Sequence, residues 1–166
     1  MNLEKENNLF LKEGERIDDL ERNGYKIIQD RKRFCFGMDA VLLSGFAQVK
    51  ENEKVLDMGT GTGIIPILLE AKTVGEDFYA LEIQQDSADM AKRSVILNHL
   101  EEKIDFVQAD VFDYLDELKE NEFDIIVLDP PAFTKSRNTI NAAIRGYKEI
   151  NLRGLKMVKP GGYFAT

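Results

Sequence analysis

Few of the residues that carry metal and redox chemistry occur in this sequence. It contains one cysteine, Cys35, and one histidine. A single cysteine excludes an intramolecular disulfide and a multi-cysteine metal site. No apolar run approaches the roughly 18 residues of a membrane span, and the opening MNLEKENNLF lacks the basic and apolar regions of a signal peptide. We therefore expect a cytoplasmic protein that has no membrane partner.

Positive charge is scarce except near the end of the chain. The formal net charge is −8, yet residues 130–166 hold seven basic side chains and one acidic side chain. Opposite signs in two parts of one chain indicate a local anionic partner. The alternative is the solvated face of an amphipathic helix. The charge pattern alone leaves both interpretations open.

From residue 54 onward, short apolar runs alternate with segments of helical periodicity. This pattern predicts an α/β fold, with βα units arranged around a parallel sheet. The predicted strands are 54–58, 78–83, 104–108, 124–128 and 163–166, and the predicted helices are 64–72, 87–99, 111–119 and 138–158. We expect residues 160–162 to end the last helix and turn into the last strand.

The region before residue 54 has weaker patterns. Segments 16–20 and 25–29 are predicted to pair as a hairpin. Asp39 is expected to cap a helix over 40–48, and Asp86 to cap the helix 87–99.

A glycine-rich loop, VLDMGTGTG at 55–63, lies where a strand should meet a helix. Glycine permits a tight turn and lets a ligand approach the backbone. A dinucleotide fingerprint requires a small residue at position 64, which is Ile64, and the loop lacks the G-K-[ST] ending of a phosphate-binding loop. The remaining pattern, D-x-G-x-G-x-G, resembles motif I of the class I, Rossmann-like methyltransferases.

This resemblance implies S-adenosylmethionine as the cofactor. The loop would pass beneath its methionyl part, with Asp57 near the ammonium group. Glu82 would accept the ribose hydroxyls, and Asp110 would reach the adenine amine. Each acid ends a predicted strand, at the sheet edge where open α/β sheets bind ligands, although either acid alone could simply cap a helix. The predicted cofactor-binding residues are Asp57, Gly59, Thr60, Gly61, Thr62, Gly63, Glu82, Ile83, Asp110 and Val111.

The resemblance also implies a three-layer sandwich with a mostly parallel sheet in the order 3-2-1-4-5, and with the family's final antiparallel strands missing. We expect one domain over 1–166. It would comprise an N-terminal hairpin and helix region (1–53), a cofactor-binding half (54–120) and a substrate-side half (121–166).

The fourth predicted strand ends in D-P-P-A-F at 129–133. The prolines fix the backbone and remove amide donors, which leaves acceptors that suit an exocyclic amine, while an aromatic side chain can stack on an extruded base. The alternative is a rigid strand-to-helix turn. The predicted catalytic residues are Asp129, Pro130, Pro131 and Phe133.

Two family resemblances meet in this chain. Residues 10–120 resemble the bacterial adenine-N6 methyltransferases of valine tRNA, in LKEGERIDDLERNGYKIIQD, FCFGMDAVLLSGFA, VLDMGTGTGIIPILL and SADMAKRSVILNHL. That family's catalytic motif is N-P-P-Y/F; here Asp129 replaces Asn, and the aromatic Phe133 lies one residue late. Residues 123–166 resemble the cytosine-C5 methyltransferases of large-subunit rRNA, in D-P-P-A-F and R-G-Y-K-E-I-N. We interpret the chain as a mosaic with a junction near 118–123.

Cytosine-C5 transfer needs a thiolate nucleophile, which in that family follows the fifth strand, where this sequence ends. Cys35 is predicted to be a buried small hydrophobe. We therefore predict an RNA methyltransferase that modifies adenine N6 in tRNA, with the basic residues of 135–159 on phosphates. The alternatives are a fragment of an rRNA cytosine-C5 enzyme and a cofactor-binding scaffold without turnover. An exposed edge at the fifth strand predicts a homodimer.

Overall fold

A five-stranded sheet forms the centre of the protein. The computed structural model describes residues 9–33, 35–75, 77–130 and 140–166. Its strands are β1 (Glu15–Asp19), β2 (Lys26–Asp30), β3 (Lys54–Met58), β4 (Asp77–Glu82), β5 (Ile104–Gln108), β6 (Phe123–Leu128) and β7 (Val158–Ala165). Strands β3 to β7 form one sheet in the order β5-β4-β3-β6-β7, and all neighbours are parallel. The predicted parallel sheet and its strand order are therefore confirmed.

Helices cover both faces of this sheet. They are α1 (Met38–Phe46), α2 (Ile64–Lys72), α3 (Gln85–Leu97), α4 (Val111–Glu117) and α5 (Ile140–Met157). Successive side chains of a strand point to opposite faces: Val55 packs in the core beneath α1, α2 and α3, whereas Leu56 packs in the core beneath α4 and α5. The three-layer α/β sandwich is confirmed. Among the described residues, none of the helices combines the length and the hydrophobicity of a membrane-spanning segment.

The N-terminal strands β1 and β2 pair as the predicted antiparallel hairpin. Side chains of α3 hold this hairpin on the domain. Ser94 Oγ accepts a hydrogen bond from the Ile28 amide at 2.9 Å, and Arg93 Nη2 donates to Glu15 Oε1 at 2.7 Å. The hairpin is thus joined to the helix that follows β4.

Two predicted helix caps are wrong. Helix α1 begins after Gly37, so Asp39 lies inside its first turn, and α3 begins after Gln84, so Asp86 also lies in a first turn. An acid there still interacts favourably with the positive end of the helix. Propensity therefore located each helix start to within two residues.

Residues 160–162 lie inside β7 and do not form the predicted turn before it. The pairing of β6 with β7 is irregular between Phe123 and Ile125. Gly162 is required at this point, because a Cβ there would lie 2.2 Å from the carbonyl oxygen of Asp124. The strand therefore starts directly after α5, earlier than the apolar pattern indicated.

Candidate functional site

A cavity of about 730 Å³ opens where β3, β4, β5 and β6 end. This is the edge where open α/β sheets bind ligands, and the volume suits a small molecule. Pro131 and Phe133 lie outside the described residues. Eight of the predicted site residues line the cavity: Gly59, Gly61, Glu82, Ile83, Asp110, Val111, Asp129 and Pro130.

The glycines of the loop after β3 have different tasks. Gly59 and Gly63 have φ angles of 79° and 84°. A Cβ on Gly59 would meet no atom of the described residues within 4 Å, whereas a Cβ on Gly63 would lie 3.4 Å from Ala91 Cβ. The amides of Gly59 and Thr60 both donate to the Leu81 carbonyl, at 2.9 and 2.8 Å. Gly59 therefore leaves room for a ligand, while Gly63 lets α2 start close against α3.

Glu82 joins the glycine loop to the end of β4. Its Oε2 accepts a hydrogen bond from the Gly61 amide at 2.9 Å, and its Oε1 accepts one from the Gln84 amide at 2.7 Å. The residue is only 7% exposed, yet it lines the cavity. Each carboxylate oxygen has about two acceptor positions, so both oxygens can still accept a ligand's hydroxyl groups.

Asp57 is buried in the central strand β3, behind the cavity wall. It is 1% exposed, and neither of its carboxylate oxygens has a hydrogen bond of ordinary geometry among the described residues. Burial raises its pKa to about 7; the Thr60 hydroxyl lowers that pKa, and the charges of Asp129 and Glu82 raise it. The hydroxyls of Thr60 and Thr62 are also buried and unpartnered in this part of the chain. Such atoms are rare in folded proteins, and the Asp57 carboxylate, once ionised, is an acceptor that suits a cationic N–H donor.

Asp110 is at once a helix cap and a cavity residue. Its Oδ1 accepts a hydrogen bond from the Phe112 amide at 2.7 Å, at the start of α4, and it lines the cavity with Val111. Ile83, which is 56% exposed, lines the cavity as Val111 does and adds a second apolar side chain to its wall. Both interpretations of Asp110 therefore stand, and its contact with an adenine amine stays a prediction.

Asp129 and Pro130 follow β6 on the rim of the cavity. Partial burial raises the pKa of Asp129, and the nearby carboxylate of Asp39 raises it further. Asp129 therefore takes up a proton more readily than a free aspartate does.

A further wall of the cavity comes from the connection between β2 and α1, for which the sequence suggested no role. Arg33, Cys35, Gly37 and Asp39 line it, and Arg33 Nη1 pairs with Asp86 Oδ1 at 2.9 Å. The stretch FCFGMDAVLLSGFA stood out as a resemblance. Its place beside the cavity, however, depends on how the hairpin docks.

The predicted burial of Cys35 is wrong. The thiol is exposed and lies on the cavity wall. The neighbouring Phe36 packs against the core instead, which leaves Cys35 at the surface. A small apolar residue between two phenylalanines favours burial in general, but only one side of this segment faces the core.

The fold and this cavity define a Rossmann-like methyltransferase domain. The chain belongs to the methyltransferase small domain family, whose model matches residues 36–163. It is 35% identical over 120 residues to the ribosomal RNA large subunit methyltransferase I of Salmonella paratyphi B, a match that covers 70% of this chain and 29% of that protein. The chain thus spans about 29% of the length of the curated relatives that it matches.

Solved structures share the fold. Methanocaldococcus jannaschii Trm5 in complex with adenosine matches with a TM-score of 0.60 and 19% identity, over 93% of this chain and 42% of that chain. TYW2 of P. horikoshii in complex with MeSAdo matches with a TM-score of 0.64 and 18% identity, over 92% and 52%. The cofactor is S-adenosylmethionine. The open space at Gly59, the carboxylate of Glu82 and the unpartnered acceptors around Asp57 fit its charge and its hydroxyl groups.

Proposed function

We propose that this chain is the cofactor-binding and catalytic domain of an RNA methyltransferase that modifies the N6 amine of adenine in tRNA. The observation that carries the proposal is the position of Asp129 and Pro130 on the rim of the cofactor cavity. The Asp129 carboxylate and the Pro130 carbonyl accept the two N–H groups of an exocyclic amine, and Phe133, two residues beyond Pro131, stacks on the base.

When bound, S-adenosylmethionine would supply an electrophilic methyl group and would leave as S-adenosylhomocysteine once its methyl–sulfur bond breaks. The protein's residues orient the amine, whose nitrogen forms the new bond to the methyl carbon, and the released N–H proton passes to water. Glu82 binds the ribose hydroxyls, Asp110 the adenine amine and Asp57 the ammonium group, while Ile83 and Val111 contact the adenine ring.

The RNA would lie against α5. Arg145, Lys148 and Lys156 are exposed there and form no ion pair within the described residues. Arg153 instead pairs with Glu149 and Asp116, and Lys159 pairs with Asp124. Exposed cations of this kind bind phosphates without selecting a sequence.

A second candidate is transfer to cytosine C5 of rRNA. It is favoured by the similarity to a large-subunit rRNA methyltransferase, and the mosaic hypothesis belongs with it. A junction near 118–123 would fall in the turn before β6, where the Asn121 amide donates to the Lys156 carbonyl at 3.0 Å. This chemistry needs a thiolate, and Cys35 is the only thiol in the sequence.

One assay separates these candidates. Tritiated methyl transfer is measured on bulk tRNA and rRNA that lack the endogenous modifications. For adenine N6, Asp129→Asn keeps an acceptor oxygen and retains activity, Asp129→Ala loses it, and Cys35→Ser has no effect. Loss of activity in Cys35→Ser favours cytosine C5. Binding of S-adenosylmethionine without transfer to either RNA leaves the third candidate, a cofactor-binding scaffold.

The proposed homodimer would form along β7, which pairs only with β6 among the described strands. Pro160 removes one amide donor from that edge, so a partner strand would pair with Tyr163–Ala165. Light scattering tests this proposal, and a stable monomer at high concentration contradicts it.

A further inference from the structure

The wall segment, residues 35–39, follows the hairpin and includes the beginning of the first turn of α1. Cys35, Gly37 and Asp39 of this segment line the cofactor cavity. The position of the wall segment therefore affects the shape of the cavity. Besides the packing of Phe36 against the core, two polar contacts lie here: the ion pair between Arg33 and Asp86, and a hydrogen bond from the Phe36 amide to Gln29 Oε1 at 3.0 Å.

The second contact belongs to a chain of partly buried hydrogen bonds. Gln29 on β2 is 3% exposed, and its Nε2 donates to Asp18 Oδ2 at 2.5 Å. Both oxygens of Asp18 accept from Arg16 Nε, at 2.8 and 2.9 Å. Gln29 itself does not line the cavity among the described residues, so it can affect a ligand only through the backbone of the wall segment.

The two contacts differ in strength. The side chains of Arg33 and Asp86 are 53% and 62% exposed, and exposed ion pairs contribute little. The bond between Gln29 and Phe36 is buried at the side-chain end, where breaking a hydrogen bond leaves an unsatisfied polar group. The hairpin is itself fixed to α3 through Ser94. Of the two polar contacts, the hydrogen bond to the side-chain amide of Gln29 is therefore the stronger attachment of the wall segment.

We propose that Gln29 is a positioning residue for cofactor binding, because it holds the wall segment at the distance from the glycine loop that S-adenosylmethionine requires. The N-terminal hairpin then contributes to cofactor binding, because its strand β2 carries Gln29. This role does not depend on which nucleotide is methylated.

The test compares Gln29→Met with Ser94→Ala in the full chain. Gln29→Met keeps the length of the side chain and removes both hydrogen bonds. Ser94→Ala loosens the same strand β2 but does not touch the wall segment. Affinity for S-adenosylhomocysteine is measured by calorimetry, alongside the Tm. We expect Gln29→Met to weaken binding about tenfold, as loss of one buried hydrogen bond predicts, and Ser94→Ala to change it less than twofold.

Cys35 supplies a second readout that general destabilisation does not imitate. It is the only thiol and lies in the wall segment, so its reaction with dithionitrobenzoate reports on that segment alone. In the parent chain, S-adenosylhomocysteine should slow the reaction. In ligand-free Gln29→Met, Cys35 should react faster than it does in the parent chain, and S-adenosylhomocysteine should protect it less. If Gln29→Met and Ser94→Ala lower the Tm equally and also weaken the binding of S-adenosylhomocysteine equally, the proposal is overturned.

An exchange of the two polar groups provides a rescue if Gln29→Met does not fold. Gln29→Glu alone places two carboxylates side by side. In the double variant Asp18→Asn with Gln29→Glu, the amide of residue 18 becomes the donor and the carboxylate of residue 29 becomes the acceptor. That carboxylate also keeps an oxygen for the Phe36 amide. We expect the double variant to recover affinity to within about threefold of the parent. A folded double variant that binds no better than Gln29→Glu overturns the proposal. Failure of the unmodified chain to bind S-adenosylhomocysteine would instead contradict the cofactor assignment, and the proposal with it.

Discussion

The carboxylate of Glu82 accepts a hydrogen bond from the amide of Gly61 at 2.9 Å. This bond connects the end of β4 to the loop that follows the neighbouring strand β3. The other oxygen of Glu82 accepts from the Gln84 amide, so one side chain fixes the glycine loop and the turn that leads into α3. The same residue lines the cavity, so the proposed contact with the ribose hydroxyls would be coupled to these two hydrogen bonds.

Glu82→Gln should weaken binding of S-adenosylmethionine by about 10- to 100-fold, the range expected when a charged hydrogen-bond acceptor is replaced. The amide keeps the size of the side chain but turns one oxygen into a donor, which then faces a backbone N–H group. Calorimetry measures the loss, with the exposed Glu117→Gln as the matched control. Unchanged affinity in Glu82→Gln would show that this carboxylate does not contact the ligand.

Gly59→Ala should abolish cofactor binding while the protein stays folded. The added Cβ meets no described atom within 4 Å, so it would occupy the space that the ligand needs. Gly24→Ala is the control, since Gly24 has a similar φ of 72° and equally open surroundings but lies in the hairpin turn. Both variants should lose about 1 kcal/mol of stability from the left-handed backbone. Equal binding by both would place the ligand elsewhere.

Local patterns predicted the sheet and its ligand-binding edge because the strands are short and largely apolar, and because glycine or an acid stands at the carboxyl ends of β3, β4, β5 and β6. The wall segment could not be predicted in this way. Its position depends on contacts between residues far apart in the chain, such as Ile28 with Ser94, and on the side of the segment that Phe36 turns toward the core. The exposed Cys35 follows from that packing and not from its neighbours in sequence.

The proximity of Asp39 to Asp129 illustrates the same limit. The charge of Asp39 raises the pKa of Asp129, although 90 positions separate them in the chain. Asp39 looked like a helix cap, and its place in the first turn of α1 instead brings it to the cavity wall. Capping propensity identified the start of α1, but it could not predict that Asp39 would lie near Asp129.

The contribution of Asp57 to the stability of the ligand-free protein should fall as the pH rises from about 4 to about 7. Burial raises the pKa of Asp57 from 3.8 to about 7, so the folded state holds a proton over this range that the unfolded state has lost. The contribution is at most about 4 kcal/mol. Asp57→Asn should flatten this dependence in urea unfolding at several pH values, whereas the exposed Asp105→Asn should not. The same slope in all three proteins would contradict a protonated Asp57.

Gly154→Ala should lower the Tm, although alanine favours a helix by about 1 kcal/mol over glycine. A Cβ at this position in α5 would lie 2.6 Å from Phe164 Cε2 and 2.9 Å from Met58 Cε, and such overpacking costs about 1–3 kcal/mol. Gly45→Ala in α1 is the control, because its Cβ would meet no described atom within 4 Å. Gly45→Ala should raise the Tm. A higher Tm in Gly154→Ala as well would refute the close packing of Gly154 against Phe164 and Met58.

Helix α5 should bind RNA through the phosphate backbone. Replacing Arg145 and Lys148 with glutamate should reduce the slope of log affinity against log salt concentration by about one unit for each phosphate that the protein no longer neutralises. Both side chains are exposed, and neither forms an ion pair within the described residues, so they are available to phosphates. Filter binding to tRNA over a range of salt concentrations measures the slope.

Net charge must be separated from local contact, because any reversal of charge on an acidic protein weakens its attraction to RNA. Lys50→Glu together with Lys92→Glu makes the same change in net charge at exposed positions outside α5. If α5 binds the phosphates, this control lowers affinity only slightly and leaves the slope unchanged. Equal slopes in the two double variants would mean that the basic residues of α5 form a solvated face, and that the RNA contacts another surface of the domain.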